Sequence, residues 1–258
     1  MSSITDLFSA LQNGVKAVNG LKGTFDDVNT SLEAINTSLG AFTPNTLGVC
    51  GVQLLTVTGT YTPTSGTKTA IVIVQAAGGG GGGNGATAGQ GEGGHGGAGE
   101  TRIYALTGVT GTYSYTIGAV GAAPSAGNNP GGTASDTTFA SLVTAKGGTG
   151  GSGSTGGTIA ANGSTPTGSG GIVLPPTASP QSSFASGGPR GASTIFGMYN
   201  LAWINVANVA LVSGTGTQDG LAGDGYGSGG TGSFKQAGAA TGKGGAGAPG
   251  MILVIEFS

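Results

Sequence analysis

Side chains able to carry out chemistry are few in this sequence and widely spaced. It contains one His, one Cys and ten acidic residues among 258. A catalytic role for His95 would need Glu92 or Glu100, its nearby acids, whereas a histidine that is solvated or caps the glycine segments needs no partner. Cys50 is interpreted as a small packed side chain, with a link between chains as the alternative. We therefore predict that the chain is not an enzyme.

Two further patterns resemble ligand-binding motifs. Asp219 and Asp224 alternate with glycines, as in loops that hold a hard cation, but they miss the calcium-loop spacings and are interpreted as turn residues. Matches to GxGxxG, such as the one from Gly94, are expected by chance in glycine tracts and lack the strand-then-helix context of a phosphate site. We predict no metal and no cofactor.

Composition excludes several broad classes of protein. Glycine supplies 59 of the 258 residues, about three times the usual share, yet no Gly-x-y period runs through the chain, which excludes collagen. Eight cations and a net charge of −2 offer no basic surface for nucleic acid. The sequence shows neither an apolar signal-peptide core nor a stretch typical of a membrane span. This composition favours a structural protein of a virion or outer surface.

The first 43 residues carry an apolar repeat of period seven. With Gly14 as the one break, the repeat predicts an α-helical, trimeric coiled coil, although two short helices, 4–19 and 24–39, are an open alternative. The residues predicted to mediate oligomerisation are Ile4, Leu7, Leu11, Val18, Leu21, Phe25, Val28, Leu32, Ile35, Leu39 and Phe42.

After Pro44 the residue pattern becomes typical of β-structure. Residues 49–60 and 69–77 are rich in β-branched side chains, and the chain ends in the aliphatic run 251–257. Because an open edge on so apolar a strand promotes aggregation, we expect 251–257 to pair with 69–77. Weaker strand candidates are 102–106, 112–117, 137–144 and 204–212.

The segments between these strands are glycine tracts with a period of three. In-phase triplets occur within 78–99, 147–158 and 244–250. Three residues per turn is the period of the polyproline II helix, which has no internal hydrogen bonds. We predict packed polyglycine II-like strings that bond to one another through their backbones, the alternative being flexible linkers.

The two ends of this region resemble a known family. The run 57–67, VTGTYTPTSGT, leads into AIVIVQAA and six glycines, and residues 244–257 end in an aliphatic strand. This pattern resembles the Gly-rich domain at the C-terminal ends of tailed-bacteriophage tail fibres and related receptor-binding proteins. The resemblance implies polyglycine II helices whose connecting loops contact the bacterial host.

Together these patterns predict a mainly β fold with packed polyglycine II-like strings and an N-terminal coiled coil. Residues 1–43 would be the oligomerisation and virion-attachment segment, bound to other virion proteins, and 44–258 a Gly-rich β head. The protein is expected to be a tail fibre, tail-tip or spike protein of the virion. It would be a homotrimer that binds a glycan or an outer-membrane protein of the host. The alternative is a structural virion component without receptor contact. Neither nucleic-acid binding nor membrane insertion is expected.

Aromatic residues that interrupt the glycine pattern are the candidate receptor contacts, because they bury large areas and have few rotatable bonds. They are Phe184, Tyr199, Trp203 and Tyr226.

Overall fold

The structure is a computed structural model of the 258-residue chain. It describes residues 48–85, 89–155, 159–176, 191–197 and 216–258, together with four single residues before them, Ser9, Gln12, Asn13 and Lys16. The chain divides into two compact units, Met1–Gly48 and Val49–Ser258. We refer to the second unit as the head.

The described part of the head is mainly β and contains twelve strands. They are β1 (Val49–Leu55), β2 (Gly59–Tyr61), β3 (Thr69–Gln75), β4 (Gly91–Glu92), β5 (Thr101–Thr107), β6 (Tyr113–Thr116), β7 (Thr137–Phe139), β8 (Val143–Ala145), β9 (Ile172–Leu174), β10 (Thr217–Gln218), β11 (Phe234–Lys235) and β12 (Met251–Phe257). The candidate strand 137–144 is a hairpin of β7 and β8, and the candidate 204–212 lies outside the described residues.

The largest sheet has five antiparallel strands in the order β1-β12-β3-β5-β9. Its centre is the pairing of β12 with β3, from Met251 opposite Gln75 to Phe257 opposite Thr69. The prediction that the aliphatic terminal strand pairs with residues 69–77 is therefore confirmed. Because β12 has a neighbour on each side, the edge of this apolar strand is closed.

A four-stranded sheet, β2-β6-β7-β8, covers one face of the five-stranded sheet. The core between them combines the buried aliphatic residues Val72, Val74, Ile252 and Val254 with aromatic rings. Tyr61, Tyr113 and Phe139 form a cluster of rings with centroids 5.6–6.1 Å apart. This core anchors the glycine segments, because those segments begin where the strands end.

The predicted fold class is wrong in its helical part. Among the described residues, every secondary-structure element is a strand and none is a helix. Ser9, Gln12, Asn13 and Lys16 have helical backbone and exposed side chains, but four separate residues define no coiled coil. The heptad residues from Ile4 to Phe42 lie outside the described residues. The heptad spacing is a local signal, whereas a coiled coil requires a partner helix to bury the apolar stripe, and the described residues include no such helix.

The strands of both sheets continue as extended glycine segments that run side by side. Residues 76–85 leave β3, residues 93–100 lead into β5, and residues 242–250 lead into β12. Neighbouring strands of a sheet are about 4.8 Å apart. The segments therefore start from the sheets already within hydrogen-bonding reach of one another.

Residues 78–84 form the central string of this arrangement, and their N–H groups point to three neighbours in rotation. Every third residue donates to the same neighbour, and the donor–acceptor distances are 2.7–2.9 Å. Residues 78, 81 and 84 donate to 242–248, residues 79 and 82 to 94–97, and residues 80 and 83 to 129–132. A threefold rotation of bonding direction is the geometry of a helix with three residues per turn.

Three further segments donate to the carbonyl oxygens of the central string. They are 148–154, which donates to residues 77, 80 and 83, 230–233, which donates to 79 and 82, and Gly121, which donates to Gly78. The central string thus has six neighbours, which also bond to one another, as Gly96 does to Gly230 and Gly97 to Thr149. We call this array the lattice. Most of its backbone groups are satisfied by the backbone of a neighbouring segment.

Candidate functional site

The lattice ends, away from the sheets, in a group of turns that we call the tip. The tip consists of residues 124–130, 216–219 and 236–241. Asn84 marks its base, nine residues after Gln75 at the end of β3. At 3.1 Å per residue, Asn84 lies roughly 28 Å beyond the end of the sheet.

Hydrogen bonds converge on Asn84 at the base of the tip. Its backbone N–H donates to Gly242 at 2.9 Å, and its buried side-chain amide donates to the carbonyls of Gly91 and Ser233. β10, which belongs to the tip, forms a three-stranded sheet with β11 and β4 in that order. This small sheet holds the tip at the end of the lattice.

Hydrogen bonds within and between the turns fix their backbones. Asn129 bonds through its side-chain amide to the backbone oxygens of Ser125 and Ala126, both at 3.2 Å. Thr217 Oγ1 donates to the carbonyl of Ala240 at 2.6 Å, which joins two turns distant in sequence. The tip is therefore a preformed surface rather than a set of independent loops.

The chemistry of the tip is polar and almost uncharged. Residues 124–130, 216–218 and 236–241 contain Asn, Gln, Ser, Thr, Ala, Gly and Pro and no ionisable side chain, and Asp219 at the border is exposed. Such a surface offers backbone groups, amides and hydroxyls as hydrogen-bond donors and acceptors. It suits a neutral polar ligand better than a phosphate, a metal ion or nucleic acid.

His95 lies inside the lattice and is part of its construction. Its Nδ1 accepts a hydrogen bond from the N–H of Gly232 at 3.0 Å, so Nε2 carries the proton. Nε2 lies 3.2 Å from Glu92 Oε1, and the two side chains are 1% and 2% exposed. A substrate cannot reach this pair, so the contact supports the lattice rather than a reaction.

Glu100 is similarly engaged by its surroundings. Its Oε1 lies 2.8 Å from Arg102 Nη2, while Oε2 accepts bonds from the N–H groups of Gly168 at 2.8 Å and Lys146 at 3.1 Å. A cleft of about 410 Å³ lies beside Glu100, lined among others by Pro166, Pro175 and Val173. Because all three partners bind the carboxylate, Glu100 does not offer this cleft a free acid or base.

Glu256 closes the head by linking the last strand to the segment after β2. One carboxylate oxygen accepts bonds from Tyr61 Oη at 2.6 Å, Thr64 N at 2.9 Å and Gln53 Nε2 at 3.1 Å, and the other accepts from Thr64 Oγ1 at 2.6 Å. Burial alone would raise the pKa of Glu256, but the bonds from Thr64, Tyr61 and Gln53 outweigh it and the pKa is lowered from 4.5. Burial and the neighbouring carboxylate raise the pKa of Tyr61. We call this group the Glu256 clip.

Of the predicted contact aromatics, the structure describes Tyr226, and it is not at the tip. Tyr226 is half-buried in a turn near the sheets, where its N–H donates to the carbonyl of Phe196 at 3.0 Å and its carbonyl accepts from Thr194 Oγ1. The adjoining Gly227 donates to Pro249, just before β12. Phe184, Tyr199 and Trp203 lie outside the described residues, as do the predicted oligomerisation residues.

The remaining sequence candidates have structural contacts. Cys50 Sγ lies 3.4 Å from Thr67 Oγ1, Asp224 accepts from the N–H of Gly225, and Asp219 accepts from the N–H of Lys243. Among the described residues no three His, Cys, Asp or Glu side chains come together as metal ligands, and none of the helical residues described belongs to a helix able to cross a membrane.

Sequence reasoning missed the tip because its residues are small and chemically plain. The available signal was the loss of the three-residue glycine period at 124–130 and 236–241, where Asn, Ser, Gln and Pro replace it.

Comparison with known proteins adds no assignment, since neither a family model nor a curated protein matches the chain.

Proposed function

We propose that the chain is a receptor-binding protein of a tailed-bacteriophage virion, a fibre, tail-tip or spike component that attaches the particle to the bacterial surface through the tip. The observation that carries this proposal is a rigid lattice that ends in a preformed, polar and almost uncharged surface about 28 Å from the five-stranded sheet. The likeness of residues 57–77 and 244–257 to the Gly-rich domain of phage receptor-binding proteins supports it.

The physical advantage of this arrangement is preorganisation. Ordering a loop at the moment of binding costs conformational entropy, and turns fixed by bonds such as Thr217 to Ala240 have already incurred that cost. Hydroxyl and amide groups suit recognition of a glycan or of a neutral loop of an outer-membrane protein. Several copies on one particle would raise the overall strength of attachment through avidity.

Attachment to other virion proteins through residues 1–43 stays a prediction, as does the assembly of three copies. Those residues lie outside the described part of the chain, so the proposal rests on the head. It places the protein in the virion and outside the cell when mature.

The test is binding of the purified, fluorescently labelled chain to cells of the strain that the phage infects. We expect saturable binding, competition with phage adsorption and loss of binding in the paired variant A126R/A237R. Both alanines are exposed in the tip, and arginine there adds bulk and charge without replacing a buried group. Periodate or protease treatment of the cells then distinguishes a glycan receptor from a protein receptor.

Val57→Arg is the matched control, because Val57 is 74% exposed just after β1 and far from the tip. It should bind like the unmodified chain. Tyr226→Ala tests the aromatic candidate in the same assay. Absence of binding and of competition would leave the structural-component alternative, whereas loss in Tyr226→Ala with full binding in A126R/A237R would move the contact away from the tip.

A further inference from the structure

The five-stranded sheet has a second face, opposite the core, that is apolar across all five strands. Side chains alternate along each strand, and the register places one set on this outer face. The set comprises Val52 and Leu54 of β1, Leu253, Ile255 and Phe257 of β12, Ile71 and Ile73 of β3, Ile103 and Ala105 of β5, and Ile172 of β9. We call this surface the outer face.

The outer face remains accessible in the single chain. Val52 is 62% exposed, Leu54 54% and Ile172 60%, while the residues of the central strands are half-buried by their neighbours in the sheet. On the opposite side of the same strands, Val72, Val74, Ile252 and Val254 are completely buried. Apolar side chains therefore predominate on both faces of the sheet, and among the described residues the four-stranded sheet covers one of these faces.

None of the described residues on the outer face is charged. Thr69 and Thr107 are its polar members at one end of β3 and β5, and Gln75 and Thr101 occupy the same face at the other end, where both side chains are buried. Antiparallel sheets with one face in water normally show polar residues on that face. A contiguous apolar surface instead marks a contact with another surface of the same character.

The size of the outer face matches an interface between proteins. The four seven-residue strands, at about 4.8 Å spacing and about 3.3 Å per residue, give a face of roughly 19 by 23 Å, to which the three-residue β9 adds a short edge. Two such faces in contact bury on the order of 1,000 Å², the lower size of a specific interface. Scattered exposed residues would not reach that area.

We propose that the outer face is where copies of this chain associate, sheet against sheet. A second copy matches the face in three respects, since it is equally uncharged, equally wide and twisted by the same amount. Twisted sheets pack face to face about 10 Å apart with their strands about 30° from parallel, and aliphatic side chains of the two sheets interdigitate. This inference concerns assembly of the head and does not depend on the identity of the receptor.

The test is sedimentation of the full chain at about 20 µM, with and without charges on the outer face. We expect the unmodified chain to sediment as an oligomer and the V52K/I172K variant as a monomer, with at least a tenfold rise in the dissociation constant. The substituted residues lie on β1 and β9, the two edges of the sheet, where each side chain is more than half exposed. A dimer in the unmodified chain supports the proposal, because two sheets packed face to face cover each other's outer face, whereas a trimer would contradict it.

V57K is the matched control, because it introduces the same charge at a position that is more exposed still but lies after β1 ends. It should leave the oligomer intact. Far-UV circular dichroism checks that V52K/I172K is folded, and V52T/I172T is the replacement if it is not. A monomeric unmodified chain, or an oligomer that withstands the substitutions in a folded variant, would overturn the proposal.

Discussion

At the scale of single residues, the head depends on a few buried polar groups with full sets of partners. Glu256 is the clearest case, since four hydrogen bonds reach its carboxylate from Gln53, Tyr61 and Thr64. A buried charge without such partners would be strongly destabilising. The Tyr-x-Pro-Thr segment that suggests a phage family thus has a structural role, because its Tyr61 and Thr64 hold the last strand.

The Glu256 clip predicts a loss of stability in acid. The folded pKa is lowered from 4.5, so the stabilisation is complete above about pH 5 and disappears as pH falls below 4.5 through the folded pKa. We expect Glu256→Gln to lower the free energy of unfolding by about 2–3 kcal/mol at pH 7, because charge-assisted bonds are lost and donors face an amide. The difference between variant and unmodified chain should shrink below pH 4. Urea unfolding at several pH values measures it.

Tyr61→Phe serves as the graded comparison for that experiment. It keeps the ring that packs on Tyr113 and Phe139 and removes one of the four bonds. It should cost about 1–2 kcal/mol and move the acid transition to higher pH. An identical pH dependence in Glu256→Gln and the unmodified chain would show that the clip contributes nothing.

At the scale of elements, the lattice explains why glycine is required rather than merely tolerated. A Cβ on Gly82 would overlap the carbonyl oxygen of Ser152 in the neighbouring string, and a Cβ on Gly79 would overlap that of Thr149. Neither obstacle is a flexible side chain, so the whole neighbouring string would have to move. The close approach of backbones, not a need for unusual dihedral angles, selects glycine in these strings.

The lattice therefore predicts a large effect of adding a single methyl group. Gly82→Ala should destabilise the head by about 3 kcal/mol, in the upper part of the range for overpacked interiors, with a fall in Tm of roughly 5–10 °C. Gly216→Ala is the control, because a Cβ at Gly216 meets nothing within 4 Å and its φ is not positive. Differential scanning calorimetry of both variants decides the matter, and equal Tm values would contradict the lattice.

At the scale of the whole molecule, the strings and the sheets form one body in which each supports the other. The strings connect strands that are paired in the sheets, so the sheets set their spacing, and the lattice in turn holds the tip. Opening the central string would break bonds with six neighbouring segments at once. Such an opening approaches global unfolding in its free energy.

Amide hydrogen exchange tests this cooperative body. We expect residues 78–85, together with Gly148, Gly151 and Ser154, to exchange at least a thousandfold more slowly than in an unfolded peptide, because their N–H groups are bonded to backbone oxygens inside the lattice. The amides of the exposed residues Ser125, Ala126, Ala237 and Gly238 should exchange fast in the same sample and provide the internal control. Exchange of the central string at the rate of an unfolded peptide would remove the scaffold on which the tip depends.

The sequence by itself determined the local character of the head. Alternating and aliphatic runs indicated β3, β5 and β12, and the apolarity of residues 251–257 was enough to predict their pairing with 69–77. The three-residue glycine period indicated extended strings, because a helix with three residues per turn repeats its environment at that interval. These features are encoded in neighbouring residues and need no knowledge of distant ones.

Tertiary structure decided what lies beside what. Glycine has no side chain to specify a partner, so the period of a tract cannot show that 78–84 bonds to 242–248 rather than to another string. The contact between Glu256 and Thr64, which are 192 residues apart in the sequence, is likewise a result of topology. So is the assembly of the tip from three separate turns. The heptad pattern in residues 4–42 failed for the same reason, since a local period predicts a helix face but only packing establishes what covers it.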